Sequence, residues 1–405
     1  MVSGLVTAPL TAHALGVEGR GQITVITLVS SVIVVVGSFG IGWVIRDEVG
    51  KDPTTRIFWQ HAAQRISMAF APVALLLAVG VAEWLKLSST DRWFVAVYYL
   101  VAATAATRSA DGNVLVSLGR TSSVGLANMS FASATALLYT VLFALGQLDL
   151  RAAIAANTGG LVVQILLLKG FVLRTSRSEE RGMLRRRRQE IVTSGVWSGT
   201  KLVRRSARAW RAQLIDTLVG RSDTALVSLL NDARALGLYS VAGLIPQVAY
   251  ATFNTLVQLS FSASPRLNPD TRLKNILHAG ILVGLLLCLL GGAAAYWLIP
   301  PIFGKGFEPS RSYIVPACSM VLGLGAYSAL AQDLSRRARS GGLVGLTVAI
   351  SIVSGLSMAY VVSPQVGICV LGVLLFLTGI GYSAFRLGSA VFRFEPRSIA
   401  ASFRK

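Results

Sequence analysis

The sequence predicts an all-α protein that crosses a membrane about eleven times. Two observations lead there. Apolar runs near the ~20 residues needed to span a bilayer recur along all 405 residues. Only 14% of the chain is charged, whereas a soluble domain carries about 25%. In lipid every backbone polar group needs an internal partner, so repeated apolar runs of this length read as helices.

The candidate spans follow in order. Met1 to Leu15 is apolar but short and broken by Pro9, like the tail of a helix whose beginning is missing. Without a Lys or Arg ahead of it, it makes a poor signal peptide. Gly16 to Gln22 reads as a glycine-rich turn. Spans are then expected at Ile23–Ile45, Met68–Leu87, Trp93–Leu118, Val124–Gly146 and Ala152–Leu173. After a long basic stretch come Ala209–Leu230, Leu236–Phe261, Leu277–Ile299, Tyr313–Leu334, Leu343–Val362 and Gly367–Phe385. Five spans before the linker and six after it suggest two halves, as in many transporter folds. The expected divisions are an N-terminal lobe 1–173, a basic cytoplasmic linker 174–208, a C-terminal lobe 209–385 and a basic tail 386–405.

The net charge of +20 is distributed by loop. One side collects Arg46, Lys51, Arg56 and Arg65, then Arg120, then the run from Arg174 through Arg185–Arg188 to Arg208. It continues with Arg266, Arg272 and Lys274, with Arg336, Arg337 and Arg339, and with the C-terminal tail. The other side holds Lys86 with Arg92, Arg151, Arg234, and Lys305 with Arg311. This alternation marks the basic side as cytoplasmic, and it places the C-terminus on the cytoplasmic side of the cell membrane. The excess suits anionic lipids. No basic surface interleaved with aromatics points to nucleic acid.

Charges also occur inside the apolar runs. Around the helix Trp210–Leu230, residues Gln213, Asp216, Thr217, Gly220, Arg221, Asp223, Thr224 and Ser228 share an arc of about 160°. Such a face turns to a bundle interior or a watery cavity rather than to lipid. The alternative is a buried ion pair that locks helix packing. Arg211 lies at the head of the same helix. In Trp93–Leu118, Arg108 and Asp111 stand three apart on one face, near Asn113, and read either as a structural or snorkelling pair or as cavity residues. Gln247, Tyr250, Asn254 and Gln258 form a stripe just after Pro246, which should kink its helix. They read as cavity lining or as interhelical hydrogen-bond glue. Asn128 and Tyr139, and Asn157 and Gln164, repeat the signal more weakly. Cys288, Cys318 and Cys369 have no metal or disulfide spacing and read as small packing residues. No cofactor is expected.

The segment Gly220-Arg-Ser-Asp223, followed by Leu236-Gly-Leu-Tyr-Ser-Val-Ala242, resembles a pattern in the Wzx-type O-antigen and capsule flippases of the multidrug/oligosaccharidyl-lipid/polysaccharide (MOP) exporter superfamily. The matching positions are Arg221, Asp223, Gly237, Tyr239 and Ala242; Leu15 to Gly21 is similar to the family's turn after its first helix. The resemblance implies twelve helices in two lobes, here lacking most of the first, and alternating access without enzymatic chemistry. It implies an oligosaccharide on undecaprenyl pyrophosphate as cargo, often driven by an ion gradient. A pyrophosphate needs fixed cations along a low-dielectric route, and Arg221, Arg211 and Arg108 are the intramembrane ones. Gln213, Gln247, Tyr250, Asn254 and Gln258 could hydrogen-bond sugar hydroxyls. Asp216, Asp223 and Asp111 could take a coupling proton or sodium ion. The rivals are a lipid II flippase or drug exporter of the same superfamily, and a multipass glycosyltransferase or acyltransferase. The enzyme would need an acid/base set at a membrane face, and the loops offer few acids and no Asp-x-Asp pair.

Overall fold

The computed structural model describes residues 2–179, 199–230, 232–244, 246–248, 250, 269–336 and 342–387. Among them the regular structure is helical. Among the described residues six helices are long and apolar enough to cross a membrane: Gly4–Ser38, Arg56–Trp84, Thr121–Ala144, Leu150–Thr175, Ile281–Phe303 and Pro364–Phe385. Contacts divide the chain into two compact units, Met1–Leu15 with Val25–Thr217, and Gly16–Thr24 with Leu218–Lys405. Arg185–Arg188 of the basic linker, and the tail from residue 388, lie outside the described residues.

The N-terminal helices correct three expectations. The glycine-rich stretch after Leu15 is not a turn. Helix α1 (Val2–Ser38) runs through it and is broken only at Gly16, with φ 67° and ψ −169°. An L side chain disfavours that backbone, and glycine does not. The span expected at Ile23–Ile45 is also two elements. Phe39 and Gly40 adopt positive φ of 46° and 64°, and α2 (Ile41–Lys51) starts in a new direction. Ile41, Val44, Ile45 and Val49 are buried against Trp59, Ala63, Ala106, Ala110 and Val114. A helix buried among protein side chains has the hydropathy of a membrane span without crossing one. Gly40 lets the backbone of Ser206 and Trp210 approach closely; a Cβ there would lie 2.6 Å from the Trp210 nitrogen. Trp210 seals the corner, stacking at 5.5 Å on Phe39 and donating its indole N–H to the Val35 carbonyl.

Helix α3 (Arg56–Trp84) follows. The third expected span, Trp93–Leu118, is two helices, α4 (Ser89–Ala103) and α5 (Ala105–Ser117). Thr104 separates them, its hydroxyl donating to the Val101 carbonyl at 2.7 Å. Helices α6 (Thr121–Ala144) and α7 (Leu150–Glu179) pack as a hairpin. Gly146, with φ 68°, ends α6 and passes the N–H of Gln147 back to the Leu142 carbonyl. On the arginine-poor side, Ser88 caps α4, and Arg151 at the head of α7 reaches Asp91 at 2.6 Å.

The link between the units is α8 (Gly199–Leu230), whose residues divide between them at Thr217 and Leu218. In the second unit, α9 (Ala233–Ala242) ends at Gly243, so the span expected at Leu236–Phe261 is interrupted three residues before Pro246. Proline has no N–H for the carbonyl four residues back, and the chain breaks where that bond is missing. Then come α10 (Pro269–Phe303), a 3-10 segment at Lys305–Tyr313, α11 (Ile314–Arg336), α12 (Gly342–Val361) and α13 (Pro364–Leu387). Helices α11 and α13 touch backbone to backbone; a Cβ on Gly372 would meet the Ser319 carbonyl carbon at 2.6 Å. Small residues permit such approach between membrane helices.

Exposed aromatics mark helix ends. Trp84 and Trp93 in the first unit, and Trp297 and Tyr360 in the second, are each about half to four-fifths exposed. All four lie beside arginine-poor loops, where a membrane–water interface would hold them.

Candidate functional site

Polar side chains gather in each unit separately. In the first, the fragment α5 carries the charges. Arg108 does not pair with Asp111, although helical spacing puts both on one face. Its Nη1 donates to Gln164 Oε1 of α7 at 3.1 Å, and Gln164 Nε2 donates on to Asn128 Oδ1 of α6 at 2.7 Å. Among the described residues no carboxylate pairs with Arg108, and its Nε is buried with no hydrogen-bond partner. Asp111 is buried and accepts from Gln60 Nε2 of α3 at 2.8 Å. Ser67 and Thr107 share a further α3–α5 hydrogen bond at 3.1 Å. Asn157 donates to the Tyr139 hydroxyl, which donates to the Ala153 carbonyl. The helix break at Thr104 places this polar half beside three neighbouring helices. An ion pair within one helix face would have needed none of them.

In the second unit the centre is Asp223. It accepts from the buried Tyr239 hydroxyl, from the Thr224 N–H at 2.6 Å and from the Thr224 hydroxyl at 3.2 Å. Tyr239 in turn lies edge-on to Tyr313, ring centroids 5.8 Å apart. Gly237 lies on the side of α9 opposite Tyr239 and lets α9 come close to α1. A Cβ on Gly237 would stand 2.0 Å from the Val17 carbonyl oxygen, and one on Gly21 would stand 1.6 Å from the Ala233 carbonyl oxygen. The two stretches that carry the sequence resemblance therefore lie against each other through paired glycines.

Arg221 is exposed, and among the described residues it makes no ion pair. Ser228 of the arc bonds within its own helix, donating to the Ala225 carbonyl, as Ser222 outside the arc does to the Val219 carbonyl. The arc is thus a mixture. Asp223 and Thr224 face protein, while Arg221 does not. Ile215, Leu218 and Leu229 provide an exposed apolar face on the same helix.

Tyr250 exchanges a hydrogen bond with Ser328 of α11 at 3.0 Å, and Gln247 is exposed. Arg211, Gln213 and Asp216 stand on α8, but their side chains lie outside the described set, and Asn254 and Gln258 lie outside the described residues altogether. Two partners escaped the sequence reading. Gln60 stands in the polar first turns of α3, among Arg56, His61, Gln64 and Arg65, where nothing marks it out. Tyr239 was visible as a motif position, but its bond to Asp223 requires the fold.

No family model matches the chain, and neither does any curated protein. Solved structures do. A multidrug resistance MATE family transporter of the MOP superfamily, in its inward-facing conformation, matches with a TM-score of 0.68 at 12% identity, covering 96% of this chain and 95% of that one. The lipid II flippase MurJ, inward closed, matches with a TM-score of 0.65 at 12% identity, over 99% and 87%. A MOP superfamily transporter from Pyrococcus furiosus, described as having a binding pocket of reverse polarity that suggests a different function, matches at 0.59 and 12%, over 97% and 93%. The fold is therefore the all-helical, multi-span fold of MOP transporters over nearly the whole chain.

Proposed function

We propose that this chain is a transporter that moves an anionic, lipid-linked oligosaccharide across the cytoplasmic membrane by alternating access, for cell-surface polysaccharide synthesis. The carrier would be a polyprenyl pyrophosphate. The observation that carries this reading is Arg108. An arginine within a spanning segment costs up to about 2.5–3.5 kcal/mol on insertion scales, the full figure applying at the helix centre. Here its charge is met by a neutral amide and, among the described residues, by no carboxylate. A fixed cation held in place by Gln164 and Asn128, with no counter-charge among the described residues, suits an anion that arrives and leaves. A pyrophosphate offers several charge-assisted acceptors to such a group.

Arg221, exposed on α8, is the second cation proposed for the head group, with Arg211 a third. Gln213, Gln247, Tyr250, Asn254 and Gln258 are proposed for the sugars. Asp223 is proposed for the coupling proton or sodium ion, with Asp216 and Asp111 as further carboxylates. A cationic drug would call for a cavity dominated by acids instead, whereas the intramembrane positions of this chain mix both signs. The reversed pocket polarity described for the Pyrococcus furiosus protein supports the idea that this fold accommodates cargo of either sign.

The test is deletion of the gene followed by analysis of lipid-linked oligosaccharides. Accumulation of a cytoplasm-facing intermediate, rescued by the wild type but not by Arg108→Gln, is the expected result. An unchanged lipid pool with an altered glycan would favour an enzyme, and accumulated lipid II would favour that cargo.

A further inference from the structure

We infer that the second unit carries a dedicated site for one anionic phospholipid, in a groove between α10 and α11. The groove encloses about 610 Å³. Its α10 wall runs from Leu285 through Leu289 to Tyr296, and its α11 wall from Leu322 up to Val315. The eleven steps from Leu285 to Tyr296, at about 1.5 Å each, make it about 16 Å long, which is about half of a ~30 Å hydrocarbon core. The groove therefore matches one leaflet and one acyl chain.

Two features hold it open. The floor is Gly292, where a Cβ would already be in contact with Ile314 and Cys318 at 3.4 and 3.6 Å. Beside it, Cys288 and Cys318 each donate an S–H to the other's carbonyl, at 3.8 and 3.7 Å, which ties α10 to α11 with side chains too small to fill the space. The lips are apolar and exposed, with Leu289 at 70% and Val315 at 72%. In a spanning segment such a surface faces lipid.

The groove has one charged end. Arg311 closes it on the side of the exposed Trp297. Its guanidinium lies 4.5 Å over the Tyr296 ring, donates from Nε to the Tyr296 carbonyl at 2.9 Å, and donates from Nη1 to Glu308 at 2.9 Å. An arginine has five N–H donors, so three remain for a phosphodiester. The Glu308 carboxylate is 59% exposed, so water screens its competition with a phosphate. Stacking and the backbone bond fix the guanidinium at the height where a phospholipid head group sits above its chain. An apolar slot of one leaflet's length under a single oriented cation selects an anionic diacyl lipid of the bilayer. This site involves none of the residues proposed for cargo.

The experiment uses the full chain, purified in detergent, delipidated and titrated with phosphatidylglycerol or with phosphatidylcholine of the same acyl chains. Bound lipid is counted by native mass spectrometry. The wild type is expected to take one phosphatidylglycerol in preference to phosphatidylcholine. Arg311→Gln should weaken the phosphatidylglycerol by about tenfold and abolish the preference, as loss of one charge-assisted hydrogen bond predicts. Ala293→Phe, placed on the exposed edge of the slot, should remove both lipids; Val315→Trp on the opposite lip is the second variant if that protein unfolds. Equal binding of the two lipids by the wild type, or a preference that survives Arg311→Gln, overturns the site. So does displacement of the bound lipid by undecaprenyl phosphate at equimolar amounts, which would assign the groove to a cargo tail.

Discussion

The Tyr239 hydroxyl donates to the carboxylate of Asp223, joining α9 to α8 inside the second unit. Both residues belong to the short pattern that carries the sequence resemblance, and the bond gives that pattern a physical meaning. Removing the hydroxyl leaves a half-buried carboxylate short of a donor, which costs about 1–3 kcal/mol. Tyr239→Phe should therefore lower the thermal midpoint of the purified protein. Asp223→Asn should be milder, because an amide oxygen still accepts. In the double variant the losses should be clearly less than additive. If the effects simply add, the bond contributes nothing to the fold.

Arg221 provides the contrasting case. It is exposed, so Arg221→Gln should change stability by no more than about 0.5 kcal/mol. If it contacts the cargo phosphates, transport should fall to background in a normally expressed protein, and Arg221→Lys should keep part of it. Full transport by Arg221→Gln would remove this residue from the substrate route.

Gln164 supports Arg108, so its loss should act through that arginine. Gln164→Leu removes the acceptor from a charged donor and should cost about 1.5–3 kcal/mol. Combined with Arg108→Leu, the same change should cost much less than on its own. A thermal-shift series on the four proteins decides it. Equal costs in both backgrounds would mean that Gln164 acts through packing alone.

The Asp91–Arg151 contact should make stability depend on acid. Burial alone would raise the Asp91 carboxyl, but the hydrogen bond from Ser88 and the adjacent Arg151 guanidinium outweigh it and hold the group below its ordinary 3.8. A carboxyl depressed in the fold stabilises above its unfolded pKa and ceases to do so as pH falls through its folded one. The midpoint gap between wild type and Arg151→Ala should be full at pH 6 and shrink below pH 3.8. A gap constant down to pH 3 would show that the pair is inert.

Close approach makes Gly237 sensitive. Gly237→Ala places a Cβ 2.0 Å from the Val17 carbonyl oxygen, in backbone that cannot swing aside as a side chain would. Overpacking of this kind costs about 1–3 kcal/mol. Reduced yield and a lower midpoint are expected, while Gly220→Ala, with open space around it, should be neutral. Equal behaviour of the two variants would contradict the packing.

Much of this was legible in the sequence because the membrane imposes strong patterns. Apolar length marked the helical class, and the intramembrane polar residues at Arg108, Asp111 and Asp223 were visible against an apolar background. The breaks at Phe39–Gly40 and Thr104 were not, because hydropathy records what a residue is made of and not its backbone angles. For the same reason α2 was merged into a span. The partners of Arg108 and Asp111 were hidden for another reason. Gln164 and Gln60 lie 56 and 51 residues away, and no local spacing encodes such a contact. The reading of Arg108 with Asp111 as a pair used the only neighbours that sequence can show.

The division of α4 from α5 at Thr104 has a consequence for biosynthesis. The α5 half carries an arginine and an aspartate with no partner in its own helix, so it enters the lipid poorly as a lone segment. Gln60, which satisfies Asp111, has already been synthesised when α5 emerges from the ribosome. Gln164, which satisfies Arg108, has not; the whole of α6 and half of α7 must be made first. During that interval α5 either stays at the insertion machinery or shelters against α3. The order of translation thus makes this fragment the step at which a nascent chain is most exposed to quality control, and slowing synthesis between α5 and α7 should reduce yield more than slowing it elsewhere.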